Sequence, residues 1–364
     1  MKIALVTNIP VPYRIPVFQK ISNKFGNQFV VIYAARHEPN RLWKLDITQF
    51  KHIFLKENMY SKKDGFNFVH NNYDVWGCLL DVRPDVVITT GFNPTHLYAW
   101  MYAMVFRKKH ICMTDSWIES EKSLSLIHKI VRKIVFKSSS AFIGAGENSL
   151  SLYKSYGIHK NKLFKSCLCI ENNRFANSKS FNDREYDLIF SGHLAEHKLP
   201  LFFADVVENV SKKIPNIRVL IIGDGPLKNE LFSKLDVAGI DYYYAGFVPQ
   251  GELPKYYANA KLLLFTTKMD AWGVIINEAM ASGTPVLSTP YTGAKNDLII
   301  DGESGFILDL DADIWSDKIT ELICNPDLWK KTSLNAKKSV RSFNFSNSAN
   351  GIIEACEYVY EKKT

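Results

Sequence analysis

Short runs of branched and aromatic apolar residues recur along the chain. Each ends in small or polar residues and leads into a stretch with helical spacing. In the first half the runs lie at 3–6, 29–33, 85–90, 110–113 and 141–143. In the second half they lie at 186–190, 218–222, 242–245, 261–265 and 284–288. Nearly continuous apolar strands alternating with helices predict parallel sheets covered on both faces. One polar stretch without periodicity, residues 171–185, interrupts this rhythm and reads as a linker. The expected organisation is an N-terminal Rossmann-like domain over 1–170 and a C-terminal one over 186–345. Residues 346–360 carry Ile352, Ile353, Cys356, Val359 and Tyr360 as an apolar stripe, which predicts a last helix able to pack back on the first domain. Ligands of open α/β sheets collect beyond the carboxyl ends of the strands, so the loops after each run are where chemistry is sought.

Four such loops stand out, all in the second half. The run 186–190 is followed by SGHLAEHK, in which Gly192 permits a close backbone approach and His193 and Lys198 can meet an anion. The sequence GDGP at 223–226 punctuates a strand-to-helix crossover, a turn that structure alone explains. At 246–249, GFVP places Val248 on a loop whose main chain can read a nucleobase edge. The strongest segment is DAWGVIINEAMASGTPV at 270–286. Gly273 precedes a helix whose free N–H groups and dipole suit a phosphate. Asp270 lies before that helix and Glu278 just over a turn into it, so the two carboxylates can address different parts of one ligand. An ordinary amphipathic helix with two solvated acids is the plain alternative, and the order of all four segments argues against it.

Taken together, the stretch from 186 to about 308 resembles the C-terminal domain of retaining GT-B glycosyltransferases of family 4. The resemblance implies an α/β fold of GT-B type, two Rossmann-like domains facing each other across a cleft. It implies that Lys198 and His193 grip the donor diphosphate, His193 standing where the family usually has arginine. The family's paired glutamates fall on Asp270, toward the donor sugar, and on Glu278, toward the nucleotide ribose. The main chain of Ala271, Trp272, Gly273 and Val274 would meet sugar and phosphates, with Gly192 beneath them and Val248 near the base. The first half resembles the family more loosely. Arg14 is a donor-side candidate that can equally cap local structure, Asp115 is the acceptor-side catalytic candidate, and Glu147 is a weaker one.

The implied activity is transfer of a glycosyl group, with retention, from a nucleoside diphosphate sugar to a glycan or lipid-linked acceptor, in bacterial surface polysaccharide synthesis. No resident cofactor or metal is expected, because cationic side chains and the helix N-terminus would stabilise the leaving diphosphate. A sugar-nucleotide epimerase of similar fold is the rival enzyme. A nucleotide- or nucleic-acid-binding protein without catalysis is the rival of another class, although no nucleic-acid partner is expected. A dehydrogenase would need a Gly-x-Gly-x-x-Gly after the first strand, and none is there.

Composition adds two points. The formal charge of +8 is concentrated: residues 101–165 hold twelve Lys/Arg against four Asp/Glu. Within that region, 124–136 places Leu124, Ile127, Val131, Ile134 and Val135 on one broad face, with Lys129, Arg132, Lys133 and Lys137 around it. A helix of this kind either packs in a core or lies on an anionic membrane. The aromatic residues Tyr98, Trp100, Tyr102 and Phe106 can add to either. The six cysteines show no ligand spacing and read as reduced packing residues, and no run reaches the length of a membrane span. The first run is too short for a secretory leader. The expected location is cytoplasmic, peripheral to the membrane's inner face.

Overall fold

Valine, isoleucine, leucine and the aromatics fit a sheet buried on both faces, and the chain places them in such runs. The computed structural model describes residues 1–39, 46–61 and 68–361. It divides into two units, Met1–Leu168 with Phe345–Thr364, and Cys169–Asn344.

The strands of the first unit are β1 (Ile3–Thr7), β2 (Phe29–Tyr33), β3 (His52–Phe54), β4 (Met59–Ser61), β5 (Phe68–His70), β6 (Val86–Thr89), β7 (Lys109–Thr114), β8 (Ala141–Gly144) and β9 (Leu163–Lys165). Seven of them form a parallel sheet in the order β3-β2-β1-β6-β7-β8-β9, while β4 and β5 pair antiparallel. The strands of the second unit are β10 (Tyr186–Ser191), β11 (Arg218–Ile222), β12 (Asp241–Gly246), β13 (Ala260–Phe265), β14 (Val286–Ser288) and β15 (Gly305–Ile307). They form a parallel sheet in the order β12-β11-β10-β13-β14-β15. This is doubly wound topology, whose winding reverses between β1 and β6 in one unit and between β10 and β13 in the other. At such a reversal the connections leave on opposite faces and open a crevice beyond the strand ends.

The final helix, Phe345–Glu361, packs within the first unit against the helix Ile15–Phe25 and against β9. Its inward side carries Ile352, Ile353, Cys356 and Val359. The core of the second unit joins Phe190, Phe203, Leu231 and the buried tryptophans Trp315 and Trp329.

Polar composition misplaces the stretch 171–185. Asn172–Phe175 is helical, and the whole stretch falls in the second unit. Arg184 is buried there, and its guanidinium donates to the carbonyls of Ala260 (2.7 Å) and Ser282 (2.8 Å) and to the Thr284 hydroxyl (2.8 Å). It also lies over the Trp329 ring. One polar side chain thus ties together a strand start, a helix end and the turn after that helix. Arg184→Leu is expected to lower stability by about 3 kcal/mol, since it removes several buried hydrogen bonds at once. Urea unfolding measures this, and a loss below about 1 kcal/mol would show that the bonds are readily replaced. One cysteine also departs from expectation: all six are free, but Cys324 is exposed rather than packed.

Candidate functional site

The reversal between β10 and β13 brings together the segments that sequence reading singled out. β10 ends at Ser191 and passes into Gly192 and His193, and β13 ends at Phe265, just before the loop that carries Asp270. The turn after β10 is locked to the turn after β11: Gly192 N–H donates to the Ile222 carbonyl (3.0 Å) and Leu194 N–H to that of Asp224 (2.9 Å). The approach is so close that a Cβ on Gly223 would lie 1.9 Å from the Gly192 oxygen. GDGP at 223–226 is therefore the brace under the Gly192 loop.

A short 3-10 turn, Glu196–Lys198, then carries Lys198 toward β13. Two hydroxyls at the end of β13 hold this turn by its carbonyls, Thr266 to Lys198 (2.8 Å) and Thr267 to His197 (3.0 Å). The Lys198 ammonium meets the Asp270 carboxylate in an ion pair and lies 4.9 Å from the centre of the Phe265 ring. Asp270 also accepts from the Trp272 N–H at 2.9 Å. Burial tends to raise the Asp270 pKa, but the Lys198 charge and the Trp272 and Gly273 amides outweigh it and hold the carboxyl below its usual range.

The helix Val274–Ala281 starts beside this pair. Gly273, its N-cap, has φ +83°, and a Cβ there would come within 2.7 Å of the Phe265 ring. Only glycine meets both conditions without strain. Glu278 points into the unit from the same helix and is buried. Burial pushes its carboxyl up to about 7, against the opposing pull of the Tyr257 hydroxyl and the Arg174 charge. One Glu278 oxygen is buried without a hydrogen-bond partner. The Tyr257 hydroxyl is itself 2.8 Å from that of Ser191. An acid, its phenol partner and a strand-end serine thus form a polar patch inside apolar surroundings, which is where perturbed groups mark ligand sites.

Other residues named from sequence fall differently. The Trp272 side chain is buried and its indole N–H donates to Asn277 (2.9 Å), which leaves only its main chain available for binding. Val248 is likewise buried by its side chain. The His193 ring lies 6.1 Å from that of His197 on the Gly192 loop. Among the described residues, no group of three or more His, Cys, Asp or Glu could hold a metal ion.

In the first unit, a cavity of about 240 Å³ opens where β1, β6 and β7 end. Asn8, Glu38, Thr90, Thr114 and Asp115 line it, so Asp115 sits among hydroxyls and a second carboxylate. Glu38 escaped sequence reading. It reaches the site by pairing with buried His70 at 3.0 Å, a contact between residues 32 apart with no local signature. Arg14 borders the same cavity, but its guanidinium donates to Ser166 (2.9 Å) and Ser348 (3.3 Å) and to the Ser166 carbonyl (3.3 Å). That bond set ties the last helix to the residue that follows β9. Glu147 pairs at the surface with Lys165 (3.0 Å) and lies outside the cavity lining.

Residues 171–339 match the family model of the glycosyl transferases group 1. The α/β fold is that of GT-B glycosyltransferases, with two Rossmann-like domains. The chain can be superposed on the crystal structure of Anabaena Alr3699/HepE in complex with UDP with a TM-score of 0.79, covering 98% of this chain and 100% of that one at 16% identity. A Campylobacter jejuni relative is 24% identical over 226 residues, 61% of each chain. It is a GalNAc-alpha-(1->4)-GalNAc-alpha-(1->3)-diNAcBac-PP-undecaprenol alpha-1,4-N-acetyl-D-galactosaminyltransferase. The capsular polysaccharide biosynthesis glycosyltransferase CapM of Staphylococcus aureus is 25% identical over 240 residues, 64% of this chain and 58% of that one. The chain thus matches about three-fifths of the length of these two relatives. Family match, fold and relatives together support a glycosyltransferase enzyme.

Proposed function

We propose that this chain transfers a glycosyl group from a nucleoside diphosphate sugar to a glycan or lipid-linked acceptor in surface polysaccharide assembly, with retention of anomeric configuration. The observation that supports this reading is the arrangement beyond β10 and β13. A cation held ready on a carboxylate stands beside a glycine-capped helix N-terminus, with a buried, partly unsatisfied acid one turn along.

In this reading the Glu278 oxygen that lacks a protein partner accepts from the ribose hydroxyls. The amides after Gly273 and the Lys198 ammonium receive the diphosphate, and His193 adds a donor from the Gly192 loop. As the bond from sugar to diphosphate breaks, negative charge grows on the leaving oxygen, and these groups stabilise it without rearranging. Asp270, released from Lys198 when the diphosphate arrives, turns to the sugar hydroxyls. Gly192 and the main chain of Val248, Ala271, Trp272 and Val274 complete the donor contacts. Asp115, in the first unit's cavity, is the polar group for the acceptor. The reading places the enzyme on the cytoplasmic side, in peripheral contact with membrane.

The test is thermal shift of the purified chain with UDP-, GDP- and ADP-sugars, followed by product analysis with and without a lipid-linked acceptor. Stabilisation by one nucleotide class, with product only when acceptor is present, is the expected result. Conversion of the donor alone into an isomer would make the chain an epimerase. No stabilisation by any donor would remove the reading.

A further inference from the structure

The helix Leu126–Ser138 is turned with its hydrophobic side outward. Leu126, Ile130 and Ile134 repeat every four residues and are 77%, 58% and 52% exposed, and Ile127 beside them is 73% exposed. Lys129, Lys133 and Lys137 form a second row at the same spacing, also exposed. The helix carries no acidic residue. Its inward side holds Val135 and Phe136 and, against expectation, Arg132.

Arg132 fixes this orientation. Its guanidinium lies 2.8 Å from the buried carboxylate of Glu121 and stacks over the Phe92 ring. Rotating the helix to bury the isoleucines would strip Glu121 of its counter-charge inside the protein, which is costly. The outward apolar row is therefore built in. The neighbouring helix Pro94–Val105 is joined to it by the Trp100 indole, which donates to Ser138 at 2.9 Å. That helix leaves Met101 and Val105 exposed, and the exposed Phe106 and the basic pair Arg107-Lys108 follow it.

We propose that this face docks on a bilayer bearing anionic headgroups. The leucine and isoleucines would enter the headgroup–acyl boundary, while the lysine row lies along the phosphates. Charge complementarity selects this occupant. Three like charges at four-residue spacing repel one another in water, and a sheet of anions relieves that repulsion. The inference deepens the peripheral-membrane part of the proposed function, but its test needs neither donor nor turnover.

The full chain would be sedimented with phosphatidylcholine vesicles, with and without about a third of phosphatidylglycerol. Wild type should sediment with the anionic vesicles, at least tenfold more than with neutral ones, and be released by salt. Ile127→Glu with Ile130→Glu, and separately Lys129→Glu with Lys133→Glu, should each cut binding at least tenfold without changing the thermal midpoint. Wild type remaining in the supernatant, or isoleucine variants binding as wild type does, would overturn the proposal. So would a wild-type dimer that those variants disperse in the absence of vesicle binding, because the occupant would then be a second copy.

Discussion

Lys198→Ala is expected to lower turnover by about 10²–10³-fold, the usual loss when one preorganised charge-stabilising group is removed. The lysine is well placed for such an effect. Its ammonium is largely shielded from water, its turn is held by two threonine hydroxyls, and Asp270 keeps it in the site. An incoming diphosphate offers more negative charge than one carboxylate, so the ammonium exchanges partners without leaving its place. The fold should survive, because Asp270 still accepts from the main chain after Asp270–Lys198 is broken. Lys198→Arg, which keeps the charge, should retain more activity than the alanine variant. Steady-state kinetics with the donor identified by thermal shift decides the matter. Turnover within about threefold of wild type in Lys198→Ala would remove Lys198 from the mechanism and shift the burden to His193 and the helix N-terminus.

What the sequence disclosed is what local pattern encodes. Strand runs are short and contiguous, and the glycine, the helix start and the two acids of 270–278 lie on one uninterrupted segment. Gly273 and the helix Val274–Ala281 were therefore legible residue by residue. Long-range pairings were not. Glu38 becomes part of a site only through His70, and Arg14 becomes structural only through Ser166 and Ser348, which lie 152 and 334 residues away. Arg184 stood in a stretch whose polarity suggested solvent, yet its two terminal nitrogens donate to buried carbonyls and a threonine hydroxyl. The helix Leu126–Ser138 shows a different limit. Periodicity placed Leu124, Ile127, Val131, Ile134 and Val135 on one broad face, but the fold divides them, with Val135 inward and Ile127 and Ile134 outward. Apolar spacing describes stripes on a helix; which stripe is buried depends on a charge such as Arg132 and on the partner waiting for it.

Glu278→Gln should weaken nucleotide binding and yet stabilise the empty protein above neutral pH. The carboxyl is pushed to about 7 in the folded chain, from an ordinary value of 4.5. A group whose pKa is raised on folding holds its proton longer when folded. Stability is therefore lost as pH rises from 4.5 through 7, and above 7 the full cost of the buried carboxylate is present. The shift corresponds to roughly 3 kcal/mol. Glutamine keeps the shape without the charge, so the variant should unfold at higher temperature than wild type at pH 8 and lose this dependence between pH 5 and 7. Binding should move the other way. Ribose hydroxyls donating to a carboxylate favour its ionised form, and losing such charge-assisted bonds costs roughly 10–100-fold in affinity. Wild type should then release a proton on binding nucleotide near pH 6.5, visible by calorimetry in buffers of different ionisation enthalpy, and the glutamine variant should not. If the variant binds as tightly as wild type, Glu278 is an internal acid of the core and the ribose contact lies elsewhere. If it binds weakly and is also less stable at pH 8, the carboxylate is satisfied within the protein. The stabilised, binding-defective outcome alone identifies an acid kept in a poor environment for the sake of its ligand.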